Sequence, residues 1–307
     1  MKMLFMIIAF ASVLYSALLD NTSQNISTKQ TELETFLAGK ETTAGYNATL
    51  ERNKYVSYLN EYEDNETKST VFQLLSSSYG ILPYKTNILA PITYDFAKHD
   101  DNRRETETFF QLSFRKDLLQ NFLGFNEIFT ISYTQRSWWQ TMKHSTPFRE
   151  TNYLPEAFLY LPFWNDSSSF KGYKFAFLHE SNGQNDPFSR SWNRLYAEGF
   201  FHLKGLFINP RVWYRIEEGK NDDNPDILDY MGYGDLTLIY PYKEQLFKLL
   251  IRNNFDFSDN RGAVQFEWTF SLKNTFAYLY YFDGYGESLI DYNQKSRRIG
   301  LGFAISR

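Results

Sequence analysis

The fold is decided by a stretch that alternates strictly between apolar and polar residues, Val264-Gln265-Phe266-Glu267-Trp268-Thr269-Phe270-Ser271-Leu272-Lys273. One parity of this stretch is wholly apolar, and the other is polar or charged. Because successive side chains of an extended strand point to opposite faces, the pattern predicts a β-strand with one apolar and one polar face. The same alternation recurs at 129–134, 247–252 and 299–306.

Twelve segments with this pattern follow one another in the second part of the chain. An even number of strands of this length is typical of a closed antiparallel barrel that crosses a membrane. A soluble β-sandwich is the alternative, but its strands are usually shorter and its apolar faces meet in a shared core. The sequence therefore favours an all-β fold, a twelve-stranded antiparallel transmembrane β-barrel, with strands predicted at 87–96, 105–115, 126–136, 150–161, 170–181, 190–202, 205–216, 229–240, 246–257, 261–271, 275–285 and 296–306.

The composition agrees with a membrane barrel. Of 307 residues, 19% are aromatic, yet the mean hydropathy is only −0.48. This combination fits an apolar outer band with aromatic girdles around a polar interior. The absence of cysteine excludes disulfides and thiolate metal sites. The formal net charge of −4, without a basic cluster, argues against a nucleic-acid partner.

The first 70 residues differ from the barrel segments. Lys2 is followed by an apolar run at 3–14 and by the small residues Ser16 and Ala17. This order predicts a signal peptide at 1–17. An uncleaved anchor helix remains the alternative, since apolar character continues to Leu19. Residues 18–70 are rich in Asn, Thr, Glu and Lys and lack the apolar content of a core, which predicts a flexible extension. The barrel domain is therefore expected at 71–307.

The lengths of the connections indicate which end of the barrel faces outward. Long connections such as 137–149 and 217–228 follow odd-numbered predicted strands, whereas even-numbered strands are followed by shorter ones such as Leu203-Lys204. Outer-membrane barrels have short periplasmic turns and long external loops. The odd-numbered strands are therefore expected to run outward.

One predicted strand carries two polar residues at its outward end. Phe175, Phe177, His179 and Ser181 share one parity, and the phenylalanines mark that face as lipid-facing. An imidazole and a hydroxyl at the edge of this face are costly unless they act there. A serine activated by a histidine, which a third group orients, is the general arrangement for nucleophilic acyl transfer, and Asn193 begins the returning strand. The alternative is an ordinary hairpin with solvated polar residues.

Five blocks of the sequence lie in order at 132–140, 147–153, 179–194, 222–226 and 284–293. Together they resemble the outer membrane phospholipase A family. The resemblance implies a twelve-stranded barrel in the bacterial outer membrane that hydrolyses acyl esters of phospholipids and lysophospholipids, with phospholipase A1 and A2 activity. It also implies dependence on calcium and activation by formation of a homodimer, with the active site toward the outer leaflet.

The resemblance also implies roles for individual residues. His179, Ser181 and Asn193 resemble the family's catalytic triad, in which His179 takes the proton from Ser181 and Asn193 fixes the imidazole tautomer. A neutral amide stabilises the imidazolium less than a carboxylate does, so orientation is expected to be its main role. The backbone N–H of Gly183 corresponds to an oxyanion donor. Asn182 and Asp186 are close in sequence, but the family spacing favours Asn193.

The calcium ligands implied by the resemblance are all oxygen atoms, which suits a hard cation. They are Ser189, the backbone carbonyl of Gln184, and the backbone carbonyl of Ser145 of the partner subunit. Asp186 and Asp223 correspond to ligands of an alternative site in the monomer. Gln184 stands where the best-known members have a basic residue, but a carbonyl ligand does not depend on the side chain. Without the resemblance, Asp223 would be interpreted as part of a solvated turn.

Gln135 is the expected dimer contact. It continues the lipid-facing parity of Phe129, Ile131 and Tyr133, where an amide is expensive unless it finds a partner. The matching family position lies in the dimer interface. The alternative is that Gln135 lies among the headgroups and is hydrated.

A passive porin and a structural or adhesin barrel are the competing functions. A porin needs a wide polar lumen and has no use for His179 and Ser181 on its lipid face. A structural barrel would carry its distinctive residues at loop tips. Inward residues such as Arg194 and Glu267 could fill the lumen with a hydrogen-bonded network, which the sequence alone does not decide.

Overall fold

Antiparallel β-strands make up nearly all of the regular structure in the described part of the chain. The structure is a computed structural model that describes residues 81–99, 103–163, 168–219, 222–254, 256, 259–272 and 275–306. The predicted signal peptide, the predicted N-terminal extension and the predicted start of the barrel domain at residue 71 lie outside these residues.

A two-residue strand, β1, precedes twelve longer strands, and one short helix, α1, lies between β8 and β9. The bounds are β1 Leu82–Pro83, β2 Asn87–Asp95, β3 Thr106–Gln120, β4 Ile128–Trp139, β5 Phe148–Pro162, β6 Phe170–Ser181, β7 Ser191–Leu203, β8 Leu206–Ile216, α1 Ile227–Met231, β9 Gly234–Tyr242, β10 Gln245–Arg252, β11 Ala263–Leu272, β12 Thr275–Tyr285 and β13 Lys295–Ser306.

The twelve long strands close into a barrel. Each pairs in antiparallel fashion with its neighbours in sequence, and the last strand, β13, pairs with the first long strand, β2. The short β1 pairs with β3 through Leu82↔Arg115, beyond the point where β2 begins. Closure leaves no long edge with unpaired backbone groups, as a strand structure in lipid requires. The predicted twelve-stranded antiparallel β-barrel is confirmed.

Several details of the predicted strands are wrong; for example, the strand predicted at 246–257 ends at Arg252. The segment from residue 229 does not begin as a strand, because Ile227–Met231 is helical and buries Ile227 and Met231 on one face. The tight turn consists of Lys204-Gly205, not Leu203-Lys204, since Leu203 pairs with Leu206. No helix in the described ranges is long and apolar enough to cross a membrane.

The two faces of the barrel differ in chemistry, as β6 illustrates. Tyr173, Phe175 and Phe177 are 51%, 51% and 42% exposed, whereas Lys174 and Leu178 on the opposite face are buried. A band of exposed aromatic and aliphatic side chains is unfavourable in water and is the normal outer face of a membrane barrel. Other exposed members of this band are Leu89, Ile92, Leu112, Phe114, Ile131, Leu195, Val212, Tyr214, Ile299, Leu301 and Phe303.

Paired charges occupy the interior. Arg298 is only 1% exposed. The Arg194 Nη2 atom lies 2.6 Å from Glu180 Oε2, and the Lys248 ammonium lies 3.0 Å from Glu267 Oε1. Buried charges are tolerated when they are paired and hydrogen-bonded. Arg194 and Glu267, two of the predicted inward-facing residues, thus take part in networks that favour a filled interior over a wide open pore.

All the long connections lie at one end of the barrel, here called the long-loop end. They follow β2, β4, β6, β8, β10 and β12, whereas the turns at the other end are as short as two residues between β7 and β8 and between β9 and β10. His179 and Ser181 lie at the long-loop end of β6.

Candidate active site

The β6–β7 hairpin brings the predicted triad residues to adjacent positions. In its register His179 lies opposite Asn193, and Ser181 lies opposite Ser191. His179, Ser181 and Asn193 are half-buried and continue the lipid-facing parity of Phe175 and Phe177. The connection between the two strands, residues 182–190, therefore lies directly above this group at the long-loop end.

A hydrogen bond joins two of the three predicted residues. The Nδ1 atom of His179 lies 2.8 Å from Oδ1 of Asn193. The amide nitrogen of Asn193 donates in turn to Oε1 of Glu218, also at 2.8 Å. Because a carboxylate only accepts hydrogen bonds, the amide oxygen is left for the imidazole, and Nδ1–H is the donor. The other ring nitrogen, Nε2, is then the unprotonated one.

Ser181 lies beside this pair without a direct bond to it. It is two residues from His179 on the same face, and it pairs across the sheet with Tyr153 of β5. Among the described residues no side-chain hydrogen bond to the Ser181 hydroxyl is formed. Hydrogen bonds between a nucleophile and its base are often long until substrate binds. The arrangement therefore provides a hydroxyl, an imidazole with an open Nε2, and an orienting amide on one lipid-facing surface.

Gly183 occupies a position that favours glycine. Its φ is +66°, a left-handed conformation that other residues rarely adopt. A Cβ at this position would lie 3.1 Å from Cε2 of Tyr153. The Tyr153 ring thus covers the backbone immediately after the hairpin strand that carries Ser181, and the backbone N–H of Gly183 lies two residues beyond that hydroxyl.

Asn182, which the sequence left as a second candidate for the orienting group, organises the loop. Its Oδ1 accepts from the backbone N–H of Arg190 at 3.0 Å and of Gln184 at 3.3 Å, and its amide nitrogen donates to the carbonyl of Phe188 at 2.9 Å. These bonds hold residues 182–190 in a compact turn. Asn182 is buried and belongs to the opposite parity from His179.

Two of the proposed cation ligands are in contact. The hydroxyl of Ser189 donates to Oδ2 of Asp223, so a loop of the β6–β7 hairpin meets the β8–β9 connection. Asp222 instead faces Arg215, whose Nη2 lies 2.6 Å from Oδ1 and 2.7 Å from Oδ2 of that carboxylate. The structure thus separates the two adjacent aspartates: Asp222 makes an ion pair and Asp223 faces Ser189.

The other proposed ligands are exposed, and two of them contact other side chains. Asp186 is exposed, and Gln184 donates through its side-chain amide to Glu150 at 3.0 Å. Ser145 is exposed in the β4–β5 connection, and its hydroxyl lies 3.0 Å from Nδ1 of His144. Within the described ranges, no cluster of three or more His, Asp or Glu side chains is suited to a metal ion. A site made of hydroxyls and backbone carbonyls would not form such a cluster.

The neighbouring loops are fixed by buried polar contacts. Asp291, between β12 and β13, accepts from Arg103 at 2.8 and 2.9 Å and from Ser288 at 3.0 Å. Burial disfavours the charged carboxylate, but these donors and Arg149 outweigh it and hold the pKa of Asp291 at about 2. The same loop packs against the buried face of α1, which gives the β8–β9 connection a rigid support.

Gln135 is half-buried on the lipid-facing parity of β4 and has partners within its own strand. Its Oε1 accepts from the Tyr133 hydroxyl, and its amide nitrogen donates to Ser137, each at 3.2 Å. It lies in the same cross-strand row as Ser181, with Tyr153 between them. A glutamine amide can make four hydrogen bonds, so these contacts use half of its capacity.

Glu218 is the site residue that sequence reasoning missed. It follows β8 and belongs to the parity of Val212, Tyr214 and Ile216, of which Val212 and Tyr214 are strongly exposed. A carboxylate that continues a lipid-facing parity is the signal that could have identified it, by the same argument that singled out His179 and Ser181.

The family is identified by comparison with known proteins. A family model described as "Phospholipase A1" matches residues 59–305. The chain is 37% identical to the phospholipase A1 of Klebsiella pneumoniae, over 74% of this chain and 82% of that protein. It is 34% identical to the phospholipase A1 of Escherichia coli K12, over 78% and 86% of the two chains.

Solved structures agree with this match. Outer membrane phospholipase A from Escherichia coli superimposes with a TM-score of 0.67 and 34% identity, over 74% of this chain and 91% of that one. The calcium-bound dimer of outer membrane phospholipase from Salmonella typhi gives a TM-score of 0.67 and 35% identity, over 73% and 91%. From the family match, the identity and the shared barrel it follows that this chain belongs to the phospholipase A1 family of ester hydrolases.

Proposed function

We propose that this protein hydrolyses acyl esters of phospholipids and lysophospholipids in the bacterial outer membrane, with Ser181 as nucleophile, His179 as general base and Asn193 as the group that orients the imidazole. The observation that carries this proposal is the 2.8 Å contact between His179 Nδ1 and Asn193 Oδ1 on the same lipid-facing surface as Ser181. A substrate ester at the boundary between acyl chains and headgroups can approach this surface from the bilayer.

The proposed reaction proceeds in two steps. Nε2 of His179 takes the Ser181 proton while Oγ attacks the ester carbonyl, and the protonated imidazole then gives that proton to the departing alcohol oxygen of the lysophospholipid. Water attacks the acyl-enzyme in the second step, loses its proton to His179, and releases a fatty acid as Ser181 recovers its hydrogen. The backbone N–H of Gly183 is the proposed donor to the oxyanion in both steps.

The residues near this surface fit a calcium site. Ser189 and Asp223 present oxygen atoms to one another across two loops, and oxygen-only donors suit calcium better than a transition metal. Ser189, the carbonyl of Gln184 and the carbonyl of Ser145 of the partner subunit would hold the ion in the active dimer, with Asp186 and Asp223 as ligands of an alternative site in the monomer. Bound calcium would act as a Lewis acid toward the ester carbonyl.

A dimer would complete the calcium site and would confine hydrolysis to the associated state. His179 and Ser181 face lipid permanently, so a monomer that is always active would degrade the membrane around it. The relative from Salmonella typhi is a dimer with bound calcium, which supports a shared site here. If Ser145 of the partner subunit is a ligand, calcium binding and dimerisation favour each other reciprocally. The long-loop end, which carries the site, is proposed to face the outer leaflet.

The direct test is release of fatty acid from phospholipid vesicles by the purified, refolded full chain. Calcium-dependent release of fatty acid and lysophospholipid supports the proposal, and the position of the released chain separates phospholipase A1 from A2 activity. Leakage of an entrapped dye without ester cleavage would instead indicate a passive pore, and neither leakage nor cleavage would indicate a structural barrel.

Asn193→Ala is expected to be much milder than loss of the nucleophile. Removing an uncharged orienting group leaves the imidazole and hydroxyl in place, so we expect at least about ten-fold more activity than Ser181→Ala retains. Turnover of a short soluble ester measures the difference, with the gel shift on heating as a check of folding. Equal losses in the two variants would indicate that Asn193 has only a structural role.

Gln135→Leu is expected to weaken dimerisation. The amide has unused hydrogen-bonding capacity on a lipid-facing surface. Leucine suits the same surface but cannot form these hydrogen bonds. Sedimentation in detergent with calcium should show a several-fold, on the order of 1 kcal/mol, weaker dimer, with lower activity at low protein concentration. Covalent crosslinking should restore much of this activity. A wild-type protein that is fully active as a monomer would contradict the proposed control by dimerisation.

A further inference from the structure

The carboxylate of Glu218 lies behind Asn193, on the side away from His179. Its Oε1 accepts from the Asn193 amide nitrogen at 2.8 Å. The Ser191 hydroxyl approaches both oxygens of the same carboxylate, at 3.2 and 3.0 Å. Ser191 is the residue directly opposite Ser181 in the β6–β7 register. The carboxylate is thus bound to the two β7 residues that lie across from His179 and Ser181.

The register of β7 and β8 is what brings Glu218 to this place. Asn193 pairs with Ile216, and the same register holds for the pairs next to the two-residue turn Lys204-Gly205. Both turn residues have positive φ, as a tight hairpin between right-twisted strands requires. Continuing the register by two residues places Glu218 opposite Ser191, on the lipid-facing parity that Asn193 also occupies.

The direction of every hydrogen bond in this group follows from the carboxylate. An ionised carboxylate accepts and never donates, so the amide of Asn193 must present its nitrogen to Glu218. The amide oxygen then faces the imidazole, which must carry its proton on Nδ1. Nε2 of His179 is left as the unprotonated nitrogen that a general base requires. With the amide reversed, its nitrogen would face Nδ1, the imidazole proton would move to Nε2, and the base would be lost.

We propose that Glu218 is a positioning residue for the ester hydrolysis proposed above, and the inference rests on that function. Its carboxylate holds the Asn193 amide in one of two possible orientations and thereby sets the tautomer of His179. The two residues together do what a single aspartate does in a Ser-His-Asp triad: the amide supplies the acceptor for Nδ1–H, and the carboxylate behind it supplies the negative charge.

The sharpest test exchanges the carboxylate and the amide between the two positions. Asn193→Asp alone sets two carboxylates against each other, and such groups at hydrogen-bond distance do not both ionise. Glu218→Gln alone frees the amide of Asn193 to reverse. In Asn193→Asp/Glu218→Gln a carboxylate faces His179 and an amide supports it from behind, so the acceptor for Nδ1–H and the negative charge are both restored.

The expected result is strong coupling between the two substitutions. Each single variant should lower kcat for a soluble short-chain ester by about ten-fold or more with little change in KM, and the double variant should recover to within about three-fold of wild type. Glu218→Ala should match or exceed the loss in Glu218→Gln. Glu217→Gln is the matched control, because this adjacent glutamate is exposed, and it should leave kcat unchanged.

The design distinguishes failure of this inference from failure of the proposed function. A double variant whose loss equals the product of the single losses, or a Glu218→Gln variant with wild-type kcat, overturns the inference while the proposed function stands. Wild-type turnover in Ser181→Ala overturns the proposed function itself. If Glu218→Ala does not refold, the isosteric Glu218→Gln and the exchanged pair still decide the question, since both keep the size of the side chains.

Discussion

Ser181→Ala should abolish ester hydrolysis by the refolded barrel, with a loss in kcat of at least about 10⁴-fold. The hydroxyl is the only nucleophile proposed beside His179, and the remaining oxyanion donor and bound substrate account for little of the rate without it. Because the side chain is half-buried at the rim of the barrel and makes no side-chain hydrogen bond among the described residues, its removal should leave folding intact.

The measurement is turnover of a soluble short-chain ester, so that effects on lipid binding do not contribute. The gel shift on heating reports folding of the barrel. Ser271→Ala is a suitable control, because Ser271 is a half-buried serine of β11 on another part of the barrel. Turnover by Ser181→Ala close to that of the control would remove Ser181 as the nucleophile.

Removal of calcium should have an effect of comparable size. Exhaustive chelation is expected to bring vesicle hydrolysis to the level of Ser181→Ala, because the oxyanion would lose its Lewis acid and the proposed subunit contact would lose its ligand. Strontium should restore more activity than magnesium, since a flexible loop site with oxygen donors tolerates a larger cation, whereas magnesium demands a small octahedral shell.

Ser189→Ala tests whether the dependence on calcium involves the contact between the β6–β7 and β8–β9 connections. The Ser189 hydroxyl contacts Asp223 and is a proposed ligand, so its loss should raise the calcium concentration for half-maximal activity by about ten-fold or more, at least the scale of losing a group that only supports a ligand. Asp117→Asn serves as a control. Asp117 lies near the end of β3 that is away from the long-loop end of the barrel, and it accepts a hydrogen bond from the Thr130 hydroxyl. Full activity after chelation would rule out the calcium-dependent mechanism.

Local periodicity explains why the strands were predictable. Alternation of apolar and polar side chains depends only on the extended backbone, so Phe175, Phe177, His179 and Ser181 could be assigned to one face before any tertiary contact was known. The error at residue 229 has the opposite origin. Ile227 and Met231 become a buried helical face only because another loop packs against them, and five residues are too few for a periodic signal.

The hairpin carried most of the site prediction. His179 and Asn193 lie on strands that are adjacent in sequence, so their approach depends only on one connection and its register. The contact between Ser189 and Asp223 joins two different loops and was not predicted, because the family resemblance assigned the two residues to different calcium sites. The partners of Gln135 within its own strand were not anticipated, because its neighbours Tyr133 and Ser137 also carry hydroxyls whose rotamers the sequence does not specify.

What the sequence by itself determined is the class of fold and the lipid-facing parity; with the family resemblance it also supplied the triad as a prediction. The tertiary structure decided which group stands behind Asn193. Moving the two-residue turn between β7 and β8 by one position would slide the register by two residues without changing the faces, so that Asn193 would lie opposite Tyr214 instead of Ile216. The turn at Lys204-Gly205, and not at Leu203-Lys204, therefore places Glu218 against Asn193, because register is a property of two paired strands and not of either strand alone.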